Sequence, residues 1–132
     1  MGDAKQDAET RAFAVPQDTA GIYVYRNDYV YRNESMGAAV EVDVELNGKP
    51  VGRTAASTYL YIQVPPGKHA ITAKAENADT VEIYAQPGRI HFIWQEVKLG
   101  SLQVRTKLHL VDESQGKQGV TDIKLAAAQF GR

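Results

Sequence analysis

The chain has 132 residues, of which 43% are hydrophobic and 23% charged, with a formal net charge of −1 and no cysteine. A domain of this size buries roughly two-thirds of the surface its unfolded form exposes, so one core suffices. Scattered basic residues at near-neutral charge exclude a general nucleic-acid binder, the lack of cysteine excludes disulfides and thiolate chemistry, and no apolar run is long enough for a membrane-spanning helix.

Residues 1–19 are polar and weakly patterned, and Pro16 stops a helix from crossing it, which predicts a flexible leader. The first ten residues lack the apolar centre of a secretion signal. From Gly21 to Arg26, Ile22 and Val24 alternate with Tyr23 and Tyr25, the signature of a first strand. Asn27 to Ala39 has the Asn, Asp, Ser and Gly density of a loop.

Val40, Val42, Val44 and Leu46 alternate with Glu41, Asp43 and Glu45 up to Asn47-Gly48. That dipeptide is the strongest short-range hairpin signal, because a type I′ turn needs positive φ at both central residues. It pairs Leu46 with Lys49 and Val44 with Val51, leaving the carboxylate row as a solvated face. Ser57 to Val64 alternates again and enters Pro65-Pro66-Gly67. A type II turn there predicts that His69, Ile71 and Ala73 oppose Val64, Ile62 and Leu60. His69 then reads as a hydrogen-bonded histidine at the core margin, since no base or nucleophile is paired with it. Pro87-Gly88 repeats the device, setting Val81, Ile83 and Ala85 against Trp94, Phe92 and Ile90, with Trp94 at the core centre.

A three-residue turn at Leu99-Gly100-Ser101 sets Trp94 opposite Thr106, Phe92 opposite Leu108 and Ile90 opposite Leu110. On the outer face this register makes His91 and His109 cross-strand neighbours, with Tyr84 beside His91. Two imidazoles so placed are candidate zinc or copper ligands, although a third ligand is needed. The bland alternative is an exposed polar ladder. After Val111, one short helical turn is expected near Asp112, interrupted by Gly116 and Gly119, and Val120 to Leu125 docks as a last strand or short helix. Residues 20–126 make up the domain and 127–132 a frayed tail.

Of the seven tyrosines, Tyr23, Tyr25, Tyr59 and Tyr61 fall on faces opposite the main core. They form a candidate platform for a sugar ring or a protein partner, or a face covered by the leader, a loop or a second subunit. No glycine-rich phosphate loop, nucleophile elbow or His-Glu-x-x-His motif is present.

Short strands separated by turn signals at regular spacing predict an all-β fold: a single antiparallel β-sandwich of about seven to eight strands, with a small barrel as the alternative. The aromatic strand Ile22 to Arg26, then Leu46-Asn47-Gly48-Lys49, then Tyr59 to Val64 running into Pro65-Pro66-Gly67-Lys68-His69, resembles a bacterial family known as domain of unknown function 2846. The resemblance spans about Gly21 to Asp112. Many of its members look like small envelope lipoproteins, so it implies a periplasmic or lipid-anchored module. The lipidated cysteine is absent from this chain, and Asn47 stands where members often have aspartate. The resulting expectation is a noncatalytic module, without a cofactor, that binds an envelope protein or glycan or serves a structural role, with a homo-oligomer and a cytoplasmic location left open. The competing expectation is a metal-dependent or hydrolytic enzyme centred on His91 and His109.

Overall fold

The computed structural model describes residue 13 and residues 15–27, 41–99 and 104–130. Among them, eight strands precede one helix: β1 (Ala20–Tyr25), β2 (Val42–Leu46), β3 (Lys49–Thr54), β4 (Tyr59–Val64), β5 (Gly67–Lys74), β6 (Ala78–Ala85), β7 (Ile90–Leu99), β8 (Val104–Val111) and α1 (Glu113–Phe130). They form two four-stranded sheets, ordered β4-β1-β7-β8 and β3-β2-β5-β6, that pack as a sandwich with no closed barrel. One pairing departs from the antiparallel expectation. β1 runs parallel to β7, from Gly21 beside Ile90 to Tyr25 beside Trp94.

The Asn47-Gly48 hairpin forms as its chemistry requires, with φ of 53° and 85° at the two turn residues and Leu46 opposite Lys49. A bulge shifts the register after that, so Val44 faces Gly52 rather than Val51. Glu41 and Asp43 are held by Arg53 at 3.3 and 2.8 Å, and Glu45 by Lys74 at 3.1 Å, so the carboxylate row is a cross-strand ion-pair face.

The two Pro-Gly turns do not close hairpins. β4 pairs with β1, whereas β5 pairs with β2 and β6 in the opposite sheet. The turn at Pro66-Gly67, with Gly67 at φ 131°, is therefore an arch from one sheet to the other. Pro87-Gly88 carries β6 across to β7 in the same way. The expected pairings of His69 with Val64 and of Val81 with Trp94 are not formed. A tight turn dictates reversal of the chain, but the sheet that receives the returning strand depends on distant partners. The true partner of β5 is β6, reached through a bend in which Ala75 N–H donates to Asn77 O at 2.8 Å.

Between the sheets lies an aliphatic core built from Ile22 and Val24 of β1, Val42 and Val44 of β2, Ile71 of β5 and Ile93 of β7, among others. A second cluster occupies the other face of the first sheet, where Tyr23, Tyr25 and Phe92 meet Val120 and Ile123 of α1. All six residues of β1 are consequently buried. Trp94 belongs to this second layer at its half-buried margin, and Ile93 takes the core place expected for it.

The chain ends in a helix, one of the two expected endings, but the helix is longer than expected and is not interrupted at the glycines. It runs 18 residues through both glycines, capped where Gln115 N–H donates to Asp112 Oδ1 at 2.8 Å. A Cβ at Gly116 would lie 2.1 Å from Phe92 Cγ, and one at Gly119 only 2.4 Å from Tyr25 Cε2. The glycines admit the helix to van der Waals range of the aromatic sheet, and that contact offsets their poor helix propensity. Phe13 of the leader adds to the same layer, with its ring 5.7 Å from Tyr23 and 5.9 Å from Phe92.

Candidate functional site

The tyrosine face is an interior. Tyr23 is 0% and Tyr25 1% exposed, and the half-buried Tyr59 and Tyr61 pack against Tyr23 with centroids 5.4 and 4.9 Å away. Lys124 of α1 reaches over Tyr59 at 5.8 Å. Burial pushes the Tyr25 phenol above its ordinary range, and the charge of Asp112 adds to the shift. Two of the four candidate ligand-binding tyrosines thus present no surface to a ligand.

The two histidines are not brought together either. β7 and β8 pair from Leu99 beside Val104 to Phe92 beside Val111, so residues 100–103 connect them where a three-residue turn was expected. The register moves by an odd number of residues. Because strand side chains alternate, Trp94 now opposes His109 on the helix-side face, and His91 turns to the face toward the other sheet. His109 stacks on Trp94 with centroids 4.7 Å apart and bonds Glu96 through Nε2 at 2.9 Å. That hydrogen bond, chiefly, holds the Glu96 carboxyl below its usual range. His91 Nε2 accepts from Gln86 N–H at 3.1 Å. Burial, then the charge of Arg89, lowers the His91 pKa. No group of three His, Cys, Asp or Glu placed to hold a metal ion occurs among the described residues.

His69 has the structural role expected of it. Its Nε2 faces the Pro65 carbonyl at 2.7 Å and must donate, which leaves Nδ1 to accept from Asn47 Nδ2 at 3.0 Å. Asn47 Oδ1 accepts in turn from Ala70 N–H at 2.8 Å. Asn47 therefore ties the type I′ turn to the sheet-to-sheet arch.

Two features escaped sequence reasoning, and both lie where β6 of one sheet meets β8 of the other. The first is a seam of side chains laid along the β8 backbone. Thr106 N–H donates to Asn77 Oδ1 at 2.7 Å and Thr106 O accepts from Asn77 Nδ2 at 2.9 Å. Leu108 N–H donates to Asp79 Oδ2 at 2.7 Å, and Val104 N–H to Glu76 Oε1. These groups stand in for a missing neighbouring strand.

The second is a groove of about 500 Å³ above the seam, lined by Glu82, Tyr84, Arg89, His91, Phe92 and Leu110 among others. It exists because β8 ends at Val111 opposite Phe92, where the chain leaves for α1 and uncovers the start of β7. Tyr84 is 72% and Leu110 56% exposed, the largest exposures among the sizeable apolar side chains described. Leu110 continues the core-facing row of Thr106 and Leu108, but emerges beyond the cover of the other sheet. The acids of the groove are neutralised, Glu82 by Lys68 at 3.3 Å and Glu113 by Lys117 at 2.7 Å. Arg89 is exposed and has no ion-pair partner among the described residues. The sequence signal for this site is the Tyr84 and His91 proximity. Leu110 carried none, because its emergence depends on where β8 stops.

Comparison with known proteins adds a family. The model of the family described as "Protein of unknown function (DUF2846)" matches residues 16–107. The chain belongs to that family. This DUF2846 member is also 25% identical over 131 residues to an uncharacterized protein of Haemophilus influenzae, an alignment covering 97% of this chain and 74% of the relative. No solved structure matches. The family match takes in Tyr84, Arg89 and His91 of the groove and the acceptors of the seam, while Leu110 and the helix of this DUF2846 chain lie beyond it.

Proposed function

We propose that the chain is a noncatalytic module of the bacterial cell envelope that binds a partner through the groove between β6 and β8. The observation that carries this reading is the exposure of Tyr84 and Leu110 on one concavity, beside the exposed cation of Arg89. Water contact at two large apolar groups is unfavourable by roughly 25 cal/mol per Å², and a partner that covers them recovers that energy. Concave, partly apolar surfaces with a few polar groups are where ligands bind. The envelope location rests on the lipoprotein-like character of the family that the strand and turn motifs resemble.

Photo-crosslinking in the bacterium tests the reading. A benzophenone amino acid replaces Tyr84, Leu110 or, as a control, Val51, the exposed apolar residue on β3 at 38%. Light-dependent adducts are expected at positions 84 and 110, in the envelope fraction, and not at 51. Equal labelling at all three positions, or none at any, removes the groove as the binding site.

A further inference from the structure

The backbone around the groove identifies the chemistry of its occupant. In β8, residues Val104, Thr106 and Leu108 turn their N–H groups away from β7 and onto Glu76, Asn77 and Asp79. Backbone direction alternates along a strand, so Leu110 turns the same way, and its N–H meets no acceptor among the described residues. The facing strand behaves alike. In β5, Ala70 bonds Asn47 on the β2 side, so odd-numbered residues of β5 serve β6, and His69 bonds Ile83. Glu82 and Tyr84 therefore direct their N–H and C=O groups outward, toward the groove, and neither has a backbone partner there among the described residues. The lower half of this gap is closed by side chains that imitate a strand. The upper half is open on both edges among the described residues.

Resting on the binding role proposed above, we infer that the occupant is an extended peptide segment of a partner protein, inserted between β6 and β8. One edge of the segment pairs with Leu110 and the other with Glu82 and Tyr84. Backbone groups repeating every second residue match a polypeptide strand and not a glycan, whose hydroxyls have no such repeat. Leu110 and Tyr84 take apolar side chains of the segment. Glu82 and Glu113 are each engaged by a lysine, and Arg89, exposed at the groove and within electrostatic reach of Glu113, takes an acidic residue of the segment. The inserted strand continues the seam and removes the unpaired edges that β6 and β8 otherwise expose.

The test uses the intact chain and peptides of about twelve residues selected on it from a random displayed library, a length that spans such an edge. Selected peptides are expected to contain Asp or Glu and to slow hydrogen exchange at the Glu82, Tyr84 and Leu110 amides by about tenfold or more. N-methylation of alternate peptide amides, which leaves the protein untouched, is expected to weaken binding about tenfold or more. Arg89→Glu weakens acidic peptides by a similar factor, and Leu110→Pro removes an outward N–H that the β7 ladder does not use. Selected peptides that protect another surface, or that tolerate N-methylation, overturn the inference. Soluble peptidoglycan fragments that shift the Tyr84 and His91 resonances while no peptide is selected overturn strand insertion and leave the binding module standing. Failure of peptides and fragments together with absence of crosslinks at position 84 removes both.

Discussion

His91 stands at the open end of the sandwich with Nε2 occupied as an acceptor, and an imidazolium has no lone pair to offer Gln86 N–H. Burial and the Arg89 charge act in the same direction, keeping the folded pKa below the ordinary value of 6.5. Glu82 and Glu113 face the same groove, but each is engaged by a lysine. The sign follows from proton counting. Below about pH 6.5 the unfolded chain takes up a proton that the folded chain resists, so this residue removes stability as pH falls and contributes nothing to the slope well above that value. The urea midpoint of the wild type is expected to drop more between about pH 7 and about pH 5 than that of His91→Gln. Parallel profiles for the two proteins would show that His91 titrates alike in both states. His109 is a different case at the same scale, since its partners Trp94 and Glu96 follow from a β7–β8 register that no single residue of either strand discloses.

Between elements, the contact of α1 with the sheet rests on two missing side chains. Substituting Gly116 by alanine raises helix propensity by up to about 1 kcal/mol, but places a methyl 2.1 Å from Phe92 Cγ, inside a packed layer. Overpacking of this kind costs about 1–3 kcal/mol, so Gly116→Ala is expected to lower the denaturant midpoint despite the better propensity. A stabilised variant would mean that the helix does not seat on Phe92. The same glycines explain the misreading of this segment, because as isolated letters they signal a break and only the aromatic surface beneath them makes them helical. What was legible at this scale was local: the alternation of Ile22 to Tyr25, the Asn47-Gly48 turn with its Leu46 and Lys49 pair, and the strand spans themselves. What was not legible was allocation to sheets. Pro66-Gly67 and Pro87-Gly88 look like hairpin turns in residue type, yet both are arches, and the parallel pairing of β1 with β7 joins residues about seventy positions apart. Non-local pairings leave no mark in a short window of sequence. The candidate site suffered most, since a groove between edge strands of different sheets is a product of allocation.

The sandwich as a whole is closed along one side by side chains and not by a ladder, which makes Asn77 and Asp79 its fasteners. Both belong to the β5–β6 corner of one sheet and bond the edge strand of the other, so they couple the sheets where no continuous strand does. Asn77→Ala removes two of these bonds at Thr106, at about 0.5–1.5 kcal/mol each, and an expected loss of about 1–3 kcal/mol follows. Asn77→Asp keeps an acceptor for Thr106 N–H but loses the donor to Thr106 O, so its cost should fall between wild type and alanine. A consequence beyond stability separates this role from ordinary packing. Loss of the Asn77 side chain frees Thr106 N–H and O on the β8 edge, with Leu108 still held by Asp79 between Thr106 and Leu110, and added free backbone groups on an edge recruit other chains. Asn77→Ala should therefore associate with increasing concentration in sedimentation velocity, whereas a core-weakening change such as Ile93→Val, costing about 0.5–1.5 kcal/mol, should lose stability and stay monodisperse when the two are compared at the same fraction folded. If both variants sediment alike, the seam contributes cohesion only, and the edge of β8 is protected by something other than the Glu76, Asn77 and Asp79 side chains.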